Sequence, residues 1–166
     1  MAFDEETCGV NAVNWALARE GDTDYATRCL AFVEDAIERG NDLEMFGGDD
    51  AAESARLYGA AGSVGIPPLH SLVFYEGVGE LHGERRDWGH VGLSLGDGHV
   101  VHAWDRVRVD EHLALEQLTP APGWEPLRYL GWVSLGRALE GARPRVWDDD
   151  PADAARRMQA ERFGPA

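Results

Sequence analysis

Gly89-His90-Val91-Gly92-Leu93-Ser94-Leu95-Gly96-Asp97-Gly98-His99-Val100-Val101-His102-Ala103 reads as two short strands joined by a tight turn at Gly96-Asp97-Gly98. The length of the loop decides what this hairpin can do. With Asp97-Gly98 alone as the loop, Leu93 lies opposite His102, and His90 points to the other face of the sheet. With a three-residue loop and Gly98 left-handed at a bulge, Gly92 lies opposite His102. His90 and His102 then share one face, with Gly92 leaving room between them. Apolar residues occur on both faces, so the pattern admits either register.

Working outward, the segments 69–75 (LHSLVFY), 106–109 (RVRV) and 128–135 (RYLGWVSL) have the same character as the two arms of the hairpin. They are short, rich in β-branched and aromatic residues, and bounded by Gly or Pro, which predicts strands. The segment 76–88 is long for a connection and is expected to be a lid or specificity loop. Before Gly65-Ile66-Pro67-Pro68 the chain is helical in pattern. Val10, Val13, Ala16 and Leu17 repeat at helical spacing, and a second helix is expected from Cys29 to Arg39 with Gly40 as its C-cap. A third, over 49–61, follows an Asp cap. Helices first and then strands joined by tight turns predict an α+β domain with helices packed on an antiparallel sheet. Asp150-Pro151 ahead of ADAARRMQAERF predicts one terminal helix docked on the same domain. The expected organisation is a domain over 1–142 and a tail over 143–166.

The 166 residues make about one domain. Thirty acidic side chains against 15 basic give a net charge of −15, which repels phosphate backbones and anionic lipid heads. Nucleic acid and membrane are therefore not expected as partners. The acidic start, Met-Ala-Phe-Asp-Glu-Glu, lacks the pattern of a secretory signal, so a cytoplasmic location, or export by another route, is expected. Oligomeric state has no signature here. Cys8 and Cys29 are too few for a disulfide framework, and no close Cys/His set has zinc spacing.

Cys29 opens an amphipathic helix, where free backbone N–H groups and the helix dipole favour a thiolate and can hold an oxyanion. If the shared face of the hairpin looks towards that helix start, Cys29, His90 and His102 form a nucleophile, a base and an orienter. Cys8 also precedes a helix, but reads as a plain residue near the N-terminus. His70, His82, His99 and His112 have no partner pattern and read as structural or surface residues. Trp88 and Trp104 flank the hairpin and are candidate walls of a substrate cleft.

The stretches 25–36 (YATRCLAFVEDA), 71–75 (SLVFY) and 89–103 resemble the NlpC-type branch of the papain-like cysteine peptidases and amidases, with some likeness to the CHAP amidases. The resemblance covers about residues 11–135. Members place the catalytic Cys at a helix start and the catalytic His at the opening of a strand of the form His-Val-Gly-Ile-Tyr-Leu-Gly-Asp-Gly, with a third polar residue, often His, on the next strand. Here Arg28, Leu30 and Ala31 stand where the common form has Asp before the Cys and Ser-Gly after it. The resemblance implies a papain-like core and hydrolysis of an amide or peptide bond through a thioester. Cys29 would be the nucleophile, His90 the base and acid, His102 the orienter, and Tyr25 a residue lining the oxyanion site. It implies no metal or organic cofactor. The family's usual substrates are stem peptides of the bacterial cell wall (peptidoglycan); a small amide is the other substrate expected here. The alternatives are an acyltransferase using the same thioester and a binding protein that keeps the fold without turnover.

Overall fold

The structure, a computed structural model, describes residues 3–148. The expected terminal helix lies outside the described residues. The first helix, α1 (Glu5–Leu17), starts five residues earlier than its apolar spacing implies, because the Asp4 carboxylate accepts from Thr7 N–H and caps it. Helix α2 (Cys29–Asn41) begins at the expected residue. It does not stop at Gly40, however. Gly40 is where α1 and α2 touch: a Cβ there would lie 3.0 Å from the Asn11 carbonyl oxygen. The left-handed cap falls instead on Asp42, while Asn41 Nδ2 donates to the Cys8 carbonyl and ties the two helices together. A short strand, β1 (Leu43–Glu44), and α3 (Ala51–Tyr58), capped by Asp50, complete the helical half.

The second half supplies β2 (Leu72–Glu76), β3 (Val78–Leu81), β4 (Glu84–Asp87), β5 (His90–Ser94), β6 (His99–Ala103), β7 (Val107–Glu111) and β8 (Arg128–Val133). It ends with α4 (Leu135–Ala138) and β9 (Arg143–Pro144). Five of these strands form one antiparallel sheet in the order β7-β6-β5-β2-β8. The segment 76–88 is not a loop. Its middle folds into the β3–β4 hairpin, because His82 and Gly83 both take positive φ and make a two-residue turn whose twist suits a hairpin. The tail's first residues also join a sheet, as β9 pairs with β1.

The period-2 alternation of the central strands splits their side chains between two layers. Leu72, Phe74, Val91, Leu93, Val101 and Ala103 face α1 and α2 and pack with Phe32, Val33, Ala36 and Ile37. Val73, Tyr75 and Val100 face the other way and are covered by Leu115 and Leu127. Each fully buried large apolar side chain contributes about 1.5–3 kcal/mol, so the helix-side layer dominates stability. Among the described residues no helix is long and apolar enough to cross a membrane.

The start of α3 is pinned to the strand that carries His90. Ala52 N–H donates to the Trp88 carbonyl, and Gly89, at φ +75°, presses its Cα against that helix. A Cβ on Gly89 would fall 2.4 Å from the Ala52 nitrogen, whereas one on Gly59, at nearly the same φ, meets nothing within 4 Å. Gly59→Ala is expected to cost about 1–2 kcal/mol, the strain of a left-handed alanine. Gly89→Ala is expected to cost about 1–3 kcal/mol more, from the collision. Urea denaturation of the two variants measures the difference; equal losses would show that α3 does not rest on Gly89.

Candidate active site

Among the described residues, three of the four α-helices are capped by a side chain: Asp4, Asp50 and Ser134 each accept a backbone hydrogen bond from the first turn. Helix α2 is the exception. Its cap residue, Arg28, makes no side-chain capping bond, so no capping side chain covers the first N–H groups of the helix that Cys29 opens. Thr27, two residues ahead, sits at φ +66°, a costly conformation for a β-branched residue that turns the chain sharply into the helix. Cys29 itself is half-buried and free of any disulfide.

The hairpin takes the three-residue loop. Leu95 and His99 close it through the Leu95 N–H to His99 carbonyl bond, Gly98 is left-handed, and Gly92 lies opposite His102. A Cβ on Gly92 would come within 2.9 Å of His102 Cβ, so the missing side chain makes the room the two rings use. The shared face is the one turned away from α2, among Tyr75 and Trp104. Cys29 reaches it because α2 starts beside the opening of β5, so that Cys29, Gly89 and His90 line one cleft.

The histidines are the middle of a longer chain of hydrogen bonds. His90 Nε2 lies 2.9 Å from His102 Nδ1, and His102 Nε2 lies 2.8 Å from Asp110 Oδ2. Arg108 forks onto the same carboxylate, at 2.7 and 3.2 Å. These contacts dictate the tautomers. An ionised carboxylate only accepts, so His102 Nε2 carries hydrogen and, in the neutral ring, Nδ1 accepts. His90 must then donate from Nε2, which leaves its own lone pair on Nδ1. That is the form a general base needs.

Burial, and secondarily the neighbouring His102, holds His90 well below the usual histidine range. Burial also lowers His102, against the opposing pull of Asp110. Asp110 falls to about 2, through its bond from His102 and the bond and charge of Arg108. Burial pushes the Cys29 thiol up to about 11, although the N–H groups of Val91, Leu30 and Cys29 itself draw it down. Burial thus favours the neutral form of each group, thiol and imidazole alike.

The cleft has a volume of about 480 Å³, and Trp88 and Trp104 both line it as expected. Tyr25 does not. It is 1% exposed, packs against Trp15 and Phe32, and gives its hydroxyl to Asp35 Oδ2 at 2.6 Å. The three residues between Tyr25 and Cys29 turn its ring into the core, which rules out a place in the oxyanion site. Cys8 is buried in the helix-side core. His82 and His70 occupy left-handed positions, His99 bonds to Asp97, and His112 is buried against Tyr129 and the Gly98 carbonyl. Among the described residues no group of three or more His, Cys, Asp or Glu is placed to hold a metal ion.

Asp110, Arg108 and Trp124 are absent from the sequence expectations. The first two had a signal: the tight turn around Asp105 sets His102 opposite Arg108, and Asp110 follows on the same face two residues later. Trp124 had none, because it comes from an irregular segment.

The titration of His90 has a consequence for folding. Its folded value is depressed, so the unfolded chain binds the proton more readily, and stability falls as the pH drops below about 6.5. By pH 5.5 the loss is expected to be on the order of 1 kcal/mol for this one residue. Urea denaturation at pH 7.5 and 5.5 should show a smaller drop in His90→Gln than in the wild type; equal drops would mean that His90 is not held neutral by the fold.

No family model matches the chain, and no curated protein and no solved structure matches it.

Proposed function

We propose that this protein is a thiol-dependent hydrolase with a papain-like, NlpC-type core, cleaving an amide or peptide bond, in a cell-wall-type peptide or a small amide, through a thioester on Cys29. The observation that carries this reading is the relay Asp110–His102–His90. Its hydrogen-bond polarity leaves the basic nitrogen of His90 free, and His90 shares a cleft with a cysteine at an uncapped helix start.

The chemistry follows from these groups. The Cys29 sulfur attacks the carbonyl carbon as His90 Nδ1 takes the thiol proton, and the carbonyl π electrons move to oxygen. The N–H groups of the α2 first turn, with that of Val91, would receive this oxyanion. As the tetrahedral intermediate collapses, the C–N bond breaks and the imidazolium gives its proton to the departing nitrogen. Water then adds to the thioester with His90 again as base, the C–S bond breaks, and the acid and the free thiol result. In both halves the imidazolium is stabilised through His102 by the charge of Asp110. The same thioester serves acyl transfer when an amine replaces the water.

Incubation with p-nitrophenyl acetate, followed by mass mapping of the acetyl adduct, tests this reading. The adduct should form on Cys29, vanish in Cys29→Ala, and form at least ~100-fold more slowly in His90→Ala. Because His90 stays neutral to well below pH 6.5, wild-type acylation should change little between pH 6 and 8. In His90→Ala it should rise about tenfold per pH unit with the thiolate fraction. Asp110→Asn, acting only through His102, should lower the rate and leave the wild-type pH profile lost or steepened. Labelling of Cys29 at the same rate and slope in wild type and His90→Ala would overturn the proposal. Added hydroxylamine separates the two fates of the thioester, since a transferase gives hydroxamate in preference to acetate.

A further inference from the structure

Resting on the catalytic reading of Cys29, we infer that the acyl group this site accepts is bulky, apolar and uncharged, seated against Trp88, Trp104 and Trp124. A wall of Leu81, Pro120, Ala121 and three tryptophans surrounds a volume of about 480 Å³, the size of a small-ligand site. The catalytic strands alone do not make that wall. It is built by two added segments that brace each other: the β3–β4 hairpin brings Leu81, and the stretch 119–126 brings Trp124. Glu125 N–H donates to the Val78 carbonyl and Arg85 to the Gly123 carbonyl, so the two segments form one unit.

The fit of that unit is specific. Trp124 lies directly on the Cα of Gly79, where a Cβ would fall 2.0 Å from the indole. Trp88 is fixed by its own N–H, which donates to the Gly79 carbonyl at 3.1 Å, and Arg86 stacks 3.6 Å from its ring centre. Trp104 meets the His90 ring edge to face at 5.5 Å, so the third tryptophan is next to the base itself. Rigid indoles held this way offer apolar surface at little entropic cost.

Charge in the wall is already committed. Asp50 caps α3 and pairs with Arg86 at 3.0 Å, and Asp105 pairs with Arg106 and Arg108. Arg28 donates to the Asp24 carbonyl, and Asp49 also has a partner within the protein. Each of these side chains already has a partner within the protein, and three of the four that line the cleft are carboxylates. A carboxylate on that group would enter an apolar cleft of a protein with net charge −15 and lose its hydration without compensation. An apolar group gains from leaving water at every methylene.

S-ethyl thioesters, whose leaving group is small and uncharged, isolate the acyl side. From acetyl to hexanoyl, kcat/KM should rise about fourfold per methylene, on the order of 100-fold in all. The 3-phenylpropanoyl ester should do at least as well as the hexanoyl ester if the indoles stack a ring, and less well if they line a chain; either supports the inference. The succinyl ester should fall below acetyl. Trp124→Ala should collapse the hexanoyl-to-acetyl ratio at least ~10-fold, a ratio that partial unfolding does not change. In Cys29→Ala, hexanamide should shift the tryptophan fluorescence saturably and succinamate should not. Acylation of Cys29 by the acetyl ester with no gain for hexanoyl, or a succinyl preference, would overturn this inference and leave the catalytic reading intact. Saturable binding of hexanamide with no acyl-enzyme from any ester would do the reverse.

Discussion

Everything chemical in this molecule depends on one register, that of β5 on β6. Gly96-Asp97-Gly98 makes the connection one residue longer than the tightest hairpin, and Gly92 consequently lies opposite His102. A slip by one residue would send His90 to the helix-side core, where Leu93 and Val101 now pack. The turn thus decides more than local shape. It determines whether an imidazole faces a second imidazole, and through it a carboxylate, or faces hydrocarbon. The cost of error is large on both faces, since a misplaced histidine would bury a polar ring among apolar neighbours as a leucine moved out.

The two layers of the sheet also explain how a half-buried cysteine and a buried histidine come to line one cleft. Helix α2 packs on one face of β5, and His90 projects from the other. They come together only at the strand's opening, where α2 begins. This geometry has a price in ionisation: the same packing that positions the pair desolvates it, raising the thiol and lowering the imidazole. A protein built this way does not hold a standing thiolate. In the mechanism proposed above, the nucleophile is generated only when sulfur, proton and carbonyl are together, with backbone N–H groups to receive the charge that appears on oxygen.

How much of this was legible beforehand follows from what each feature rests on. The α+β order, the Cys29 helix start and the strands around the hairpin are local, and periodicity with Gly and Pro punctuation carries them. The shared face of His90 and His102 was one of two open registers, and the loop conformation chose between them. The β3–β4 hairpin was read as a loop because Glu84, Arg85, Arg86 and Asp87 carry no strand-like side chains; the His82-Gly83 turn and pairing with β3 overrode propensity. Gly40 looked like a helix stop because its role, letting α1 approach, is a tertiary one. Tyr25 has the right position along the chain for the oxyanion site only by analogy, and three residues of irregular backbone are enough to rotate it into the core. Trp124 reaches the cleft from a segment without periodicity, so nothing in the chain marks it.

The relay's direction is set at its far end. If Asp110 were protonated, its hydroxyl could donate to His102 Nε2, and the lone pairs along the chain would reverse: His102 would give hydrogen from Nδ1, and His90 would accept at Nε2 and carry hydrogen on Nδ1. The nitrogen offered to the cleft would then be no base at all. The bond from His102 and, after it, the grip of Arg108 work against this. Together they keep the carboxylate ionised in a position only partly open to water, and an ionised carboxylate cannot donate. A guanidinium two residues from Asp110 therefore helps to hold the tautomer of His90 through two side chains, Asp110 and His102. The run Arg106-Val107-Arg108-Val109-Asp110, which along the chain is simply an alternating strand, is the part of the fold that sets which nitrogen of His90 carries its hydrogen.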